Sequence, residues 1–145
     1  MANLSRQIEA EKENIEGTLA NLANAMKRRE KSVIELAAIA TFLHNIYNGV
    51  ENILKQVLKA KNITIPKSEI WHKELLDLSV SYKIIPESLA DELREYLAFR
   101  HFFVHGYGFM LEKAPLERLA NNIPNIWSQF FSKIETLVRP KNTND

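Results

Sequence analysis

The chain has no cysteine among its 145 residues. That excludes disulfide scaffolds, thiolate metal centres and cysteine nucleophiles, and it removes any redox clue to compartment. Charge of one sign is also missing as a bias: 19 basic against 18 acidic residues leave a net charge of +1. Bulk electrostatics therefore does not announce nucleic-acid binding, and an anionic ligand would need a local patch. No apolar run approaches the roughly 18 residues that cross a bilayer, and the opening "MANLSRQIEAEKENIEG" lacks the basic-then-apolar layout of a signal peptide. The expectation is a cytoplasmic protein with no membrane partner. The length suits one domain over 1–145, which can hide about two-thirds of its unfolded surface without disulfide or metal.

Glycine and proline are scarce too, at four and five residues. What runs through the chain instead is an apolar period near 3.6, so an all-α fold is expected. Ile8, Ile15, Leu19, Leu22 and Met26 make one stripe of a first helix over about 3–28. The basic cluster "KRREK", Lys27 to Lys31, interrupts the pattern; such a run is ordinarily a solvated face, though it could touch RNA backbone or a partner. A second helix over about 31–60 carries a wide apolar face that includes Ile34, Leu36, Ala37, Leu43, Tyr47 and Leu54, and should be the most buried. "KNITIPKS" reads as a loop, with Ser68 placed to cap a short helix over about 68–80 bearing Ile70, Trp71, Leu75 and Leu76. A fourth helix follows over about 86–105 with Pro86 as an early residue, and a fifth over about 115–138, in which Pro124 should introduce a kink. Trp71, Trp127, Phe130 and Phe131 fall at helical spacings that make them core, and "RPKNTND" at 139–145 reads as a fraying tail.

One stretch does not fit a plain core helix: "AFRHFFVHGYGF", Ala98 to Phe109. Leu89, Leu93, Tyr96, Leu97 and Val104 share one face of the fourth helix, and Arg100 lies in the middle of it. An unpaired buried guanidinium costs several kcal/mol, so Arg100 needs a carboxylate such as Glu92 or Glu95, a polar interface, or an anionic ligand. His101 and His105 project four residues apart, about 80 to 140° around the helix from Arg100. Histidines at that spacing can share a zinc ion, but "HFFVH" offers no further ligand between them. The Glu69–His72 spacing occurs once, where a di-iron bundle needs it twice with two further glutamates. No metal or other cofactor is expected. Arginine with histidine suits phosphate chemistry: the guanidinium matches phosphoryl oxygens, and imidazole moves a proton near neutral pH.

The spacing Arg100, four residues, His105, one residue, Tyr107 resembles the Arg-x4-His-x-Tyr signature of HEPN ribonucleases, specifically the HepT-like toxins of HepT/MNT toxin–antitoxin pairs. The approach "YKIIPESLADELREYLAFR" resembles the segment leading into that signature. "FLHNIYNGVENILKQV" and "WHKELLDLS" are similar to the preceding helices. The resemblance covers about residues 30–138 and leaves the first helix least constrained.

The resemblance implies a HEPN-type bundle of about five helices, working as a homodimer with the site in a groove between protomers. It implies a metal-independent endoribonuclease in which Arg100 polarises the scissile phosphate and His105 is the general base or acid, giving 2',3'-cyclic phosphate and 5'-OH ends. It further implies that an MNT-type nucleotidyltransferase antitoxin AMPylates Tyr107 and so blocks RNA. The position after the arginine is often Asn in the family and is His101 here, so His101 could support or share proton transfer, or could simply pack beside Phe102. Two other readings remain open: a non-catalytic HEPN module that binds nucleotide or protein, and a helical dimer with no chemistry.

Overall fold

A computed structural model of the chain describes residues 2–106 and 111–139. Five helices follow in order: α1 (Ala2–Met26), α2 (Val33–Ala60), α3 (Trp71–Ser81), α4 (Glu87–Val104) and α5 (Lys113–Val138). No strand occurs among the described residues. The fold is an all-α bundle. α2 is the hub, because α1, α3, α4 and α5 all pack against it. Ile39, Leu43, Ile46, Ile53, Leu54 and Leu58 on α2 are essentially sealed from solvent, and each such side chain contributes about 1.5–3 kcal/mol by leaving water.

α1 and α2 form an antiparallel hairpin. Asn52 donates to Glu11 and Gly49 faces Ile15, so positions rising along one helix fall along the other. A Cβ at Gly49 would sit 2.6 Å from Cγ1 of Ile15, whose side chain is itself buried. Glycine is what allows the two helices to approach so closely. Leu4, Ile8, Ile15 and Leu22 place α1 firmly in the core, although it lay at the edge of the resemblance.

Helix ends follow local chemistry. Ser32 caps α2 in a reciprocal box with Glu35, satisfying two amide donors that the helix leaves orphaned. α2 stops where Asn62 turns left-handed, with the Asn62 and Ile63 amides donating to Lys59 and Leu58 carbonyls. α3 stops the same way at Lys83, whose φ of 59° is less comfortable for a side chain.

Several expectations change. Ser68 accepts from the Ile70 amide, but α3 begins only at Trp71 and Ile70 stands as its uncapped, exposed N-cap. Pro86 is the extended N-cap of α4 rather than a helical residue. α5 starts two residues early and runs as one helix through Pro124. Val33 and Ile34 are about four-fifths exposed; the first turn of α2 lies next to the α1–α2 link, ahead of its packed length. Within "KRREK", Lys31 is no solvated charge. Its Nζ donates to the Arg28 carbonyl at 2.6 Å and to Glu117 at 2.7 Å with the side chain almost fully covered, and Lys113 donates to the Arg29 carbonyl. The link is thereby fastened to the start of α5. By length and composition α2 could also cross a membrane, although His44, Asn45, Asn48 and Glu51 break its apolar sequence into short runs. Twelve of its residues are instead buried in the bundle.

Gly49→Leu should lower unfolding free energy by about 1–3 kcal/mol through overpacking against α1. Urea denaturation checks this, and wild-type stability would show that α1 does not need the close approach.

Candidate functional site at the α2–α4 seam

α2 and α4 run antiparallel, with Asn48 opposite Arg100 and His44 opposite Phe103. Arg100 is half-buried in the face of α4 whose earlier turns, Leu89, Leu93 and Tyr96, are buried in the core. Val104, expected on the same apolar face, is half exposed, because α4 ends there and leaves the core behind. No carboxylate among the described residues pairs with Arg100. Glu95, a candidate partner from sequence, holds Arg118 instead. What Arg100 does have is a neutral partner: its Nε donates to Oδ1 of Asn48 at 3.2 Å. The guanidinium thus keeps its full charge, and its two terminal nitrogens stay clear of that bond.

Asn48 is held in turn. Its Nδ2 lies 3.1 Å from Nε2 of His44, and the His44 ring packs on Phe103 at 5.1 Å between centroids. Burial first, then the nearby Arg100 charge, pull the His44 pKa below its ordinary value. Further along α2, Glu51 is buried, and His72 on α3 donates from Nδ1 to both its carboxylate oxygens at 2.9 Å. Trp71 stacks on His72 at 3.5 Å, and Lys55 covers Trp71. Between these two groups lies Tyr47. Burial and then Glu51 push its hydroxyl ionisation far upward, while Arg100 pulls the other way. Tyr47 is therefore neutral and no candidate for a base. A polar seam runs up the α2 hub, from the α3 contact to the α4 contact.

His105 closes α4 as its C-cap. Its Nδ1 is 2.8 Å from the His101 carbonyl, and a carbonyl can only accept, so Nδ1 carries a proton. In the neutral ring the basic lone pair must then be on Nε2. His101 is exposed, with its ring 4.0 Å from that of His105. Gly106, at φ 81°, takes the left-handed conformation that ends the helix. Tyr107 lies outside the described residues.

The structure thus brings Arg100, His101 and His105 onto the last turns of one helix. It adds His44, Asn48 and Glu51, which the sequence reading passed over. Their signal was present as polar residues at i, i+4 and i+7 inside the apolar stretch "LHNIYNGVENIL". Asn48 also lines a recess of about 370 Å3 between α1 and α2, together with Asn14, Asn45 and Asn52. A larger apolar recess of about 430 Å3 between α4 and α5 involves Ala98, Phe99 and Phe102, on the opposite side of α4 from Arg100 by helical geometry. With Glu95 and Glu112 at its edge and no cation in its lining, it does not suit an anion. No cluster of three or more metal-ligating side chains occurs among the described residues.

Residues 38–140 match the HepT-like protein family. The chain belongs to that family. Membership places it in the HEPN superfamily, most of whose members are ribonucleases. The solved structure of a cytosolic protein of unknown function, YutE from Bacillus subtilis, superposes on 95% of the chain and 95% of its own length with a TM-score of 0.76 and 21% identity. That likeness extends the shared fold to α1, which the HepT-like match leaves out. No curated protein matches the chain.

His44 gives a pH test. Its folded pKa lies below the unfolded value near 6.5, so its stabilising contribution is full above that value and is lost as pH falls through the folded one. Urea unfolding from about pH 8 to about pH 5 should show an acid-side decline that is shallower in His44→Gln. Equal slopes would count against the depressed pKa.

Proposed function

We propose that this HepT-like chain is the toxin of a toxin–antitoxin pair and cleaves RNA without metal. The observation that carries the reading is a half-buried arginine left electrically uncompensated, five residues before a histidine whose basic nitrogen is directed to Nε2 by its own backbone bond. Nε2 of His105 takes the proton of a ribose 2'-OH, and that oxygen attacks the adjacent phosphorus. The 5'-oxygen leaves, and charge collecting on the phosphoryl oxygens is met by the terminal nitrogens of Arg100. The products are a 2',3'-cyclic phosphate and a 5'-OH. His101, with its ring against His105, supports the proton transfer.

The reading includes a homodimer. Half-exposed Val104 beside half-buried Arg100 suits a groove that a second protomer closes, each chain giving one Arg100 and one His105. It also includes control at Tyr107 by an MNT-type nucleotidyltransferase. AMP added two residues beyond His105 places negative charge where RNA phosphate must bind, and like-charge repulsion excludes the substrate. The expected location is the cytoplasm, where RNA is available.

RNA incubated with unmodified protein and EDTA should yield cyclic-phosphate ends, and Arg100→Ala or His105→Ala should lower the rate at least about 100-fold. An inert wild type with unmodified Tyr107 sinks the ribonuclease reading. A HEPN binding module would then remain, seen as RNA or nucleotide retention that Arg100→Ala abolishes. For the control step, co-expression with the cognate nucleotidyltransferase should add mass in multiples of AMP to the Tyr107 peptide. Unmodified peptide in protein that is nevertheless inhibited rejects AMPylation.

A further inference from the structure

We propose that Asn48 is a positioning residue for Arg100, and that a hydrogen-bond chain from His44 through Asn48 aims the terminal nitrogens of the guanidinium at the phosphate. The inference deepens the ribonuclease reading and rests on it for its catalytic consequence, but the chain itself can be examined without any activity.

The chain follows from donor and acceptor counting. Arginine has only donors, so the atom facing its Nε must be the amide oxygen of Asn48. That choice leaves the amide nitrogen facing Nε2 of His44. A nitrogen that donates needs an acceptor, so Nε2 must be unprotonated and the neutral ring carries its proton on Nδ1. One arginine thereby settles the orientation of an amide and the tautomer of a histidine two hydrogen bonds away. His44 Nδ1 is buried with no partner of its own. A buried donor left unsatisfied costs about 1–3 kcal/mol, and the Nε2–H tautomer would instead set two donors against each other at Asn48.

Holding Arg100 by Nε has a chemical purpose. A guanidinium gripped by a carboxylate has its charge neutralised and its paired nitrogens occupied. An amide oxygen takes a single N–H, fixes the plane of the group and leaves the charge and the terminal fork for the ligand. The arrangement also has one failure mode. A protonated His44 presents N–H at Nε2, cannot accept from Asn48, and forces the amide to turn its nitrogen towards Arg100. The charged and titratable groups around this point are Arg100, His101 and His105 on α4, Glu11 on α1 and Tyr47 and Glu51 on α2. Arg100 acts on His44 directly, whereas Glu11 is engaged by Asn52 and Glu51 by His72 of α3.

The test pairs kinetics with ring-nitrogen NMR. Asn48→Leu keeps the volume and removes both hydrogen bonds, and Asn48→Asp keeps an acceptor for Nε but sets a carboxylate against the guanidinium. In metal-free RNA cleavage, Asn48→Leu should lower kcat by about 10- to 100-fold with a smaller change in KM, the signature of a misaimed group. Asn48→Asp should not recover that loss, because its carboxylate neutralises the guanidinium and has no N–H to give His44. Wild-type kcat in Asn48→Leu, alongside an active wild type, overturns the inference; so does an Asn48→Asp variant with wild-type kcat. In parallel, long-range 1H–15N spectra of the wild-type protein near neutral pH should show His44 with Nδ1 protonated and Nε2 bare. The Arg100 Nε–H should exchange slowly in wild type and fast in Asn48→Leu. A proton on Nε2, or an Arg100 Nε–H that exchanges equally fast in both, rejects the chain. If wild type does not cleave RNA, the ribonuclease reading has failed, and these spectra alone decide the positioning of Arg100.

Discussion

Everything in the bundle is packed against α2, and α2 is not uniformly apolar. A hub helix that packs against four neighbours keeps only a narrow solvent face, for Thr41, Asn45 and Lys59, so the polar side chains on its packed faces need partners inside. Glu51 finds His72 on α3, Asn52 finds Glu11 on α1, and Asn48 finds Arg100 on α4. Removing His72 would strand the buried Glu51 carboxylate at a cost of about 3–5 kcal/mol. The neutral amide carries no such penalty. That difference separates a buried carboxylate that ties helices together from an uncharged contact that leaves a cation available.

The same division appears at the surface. Arg94 is surrounded by Asp77, Glu87 and Asp91, and its charge is fully answered. Lys31 is answered by Glu117 and a backbone carbonyl. Arg100, also partly buried, has an amide instead. In a chain with nearly equal numbers of acids and bases, the distribution of carboxylates matters more than their sum: they have been spent on structural cations and kept away from the end of α4.

Much of this was legible beforehand, and the parts that were not share a cause. Periodicity found all five helices, because apolar spacing reports the buried face directly. It missed that Val33, Ile34 and Val104 are exposed, since a helix pattern does not say where along its length the neighbours stop. Arg100, His101 and His105 stood out through their incongruity and their spacing. Asn48 did not, because an asparagine in a helix is unremarkable until the residue it faces, 52 positions later, is known. Lys31 hid in a basic cluster whose other members are solvated. Local sequence shows which groups exist; only the antiparallel pairing of α2 with α4 shows which of them meet.

The left-handed turn at Gly106 divides the motif into two mechanical kinds of spacing. From Arg100 to His105 the distance is a rod: five helical steps fix about 7.5 Å of rise and a set rotation, and a single residue inserted there would swing the histidine about 100° away from its partner. From His105 onward the helical lattice no longer applies, because one glycine's dihedrals set the direction of the chain. The segment that holds Arg100 and His105 in register thus ends at Gly106. A change made beyond Gly106 need not unwind the helical turns that carry Arg100 and His105.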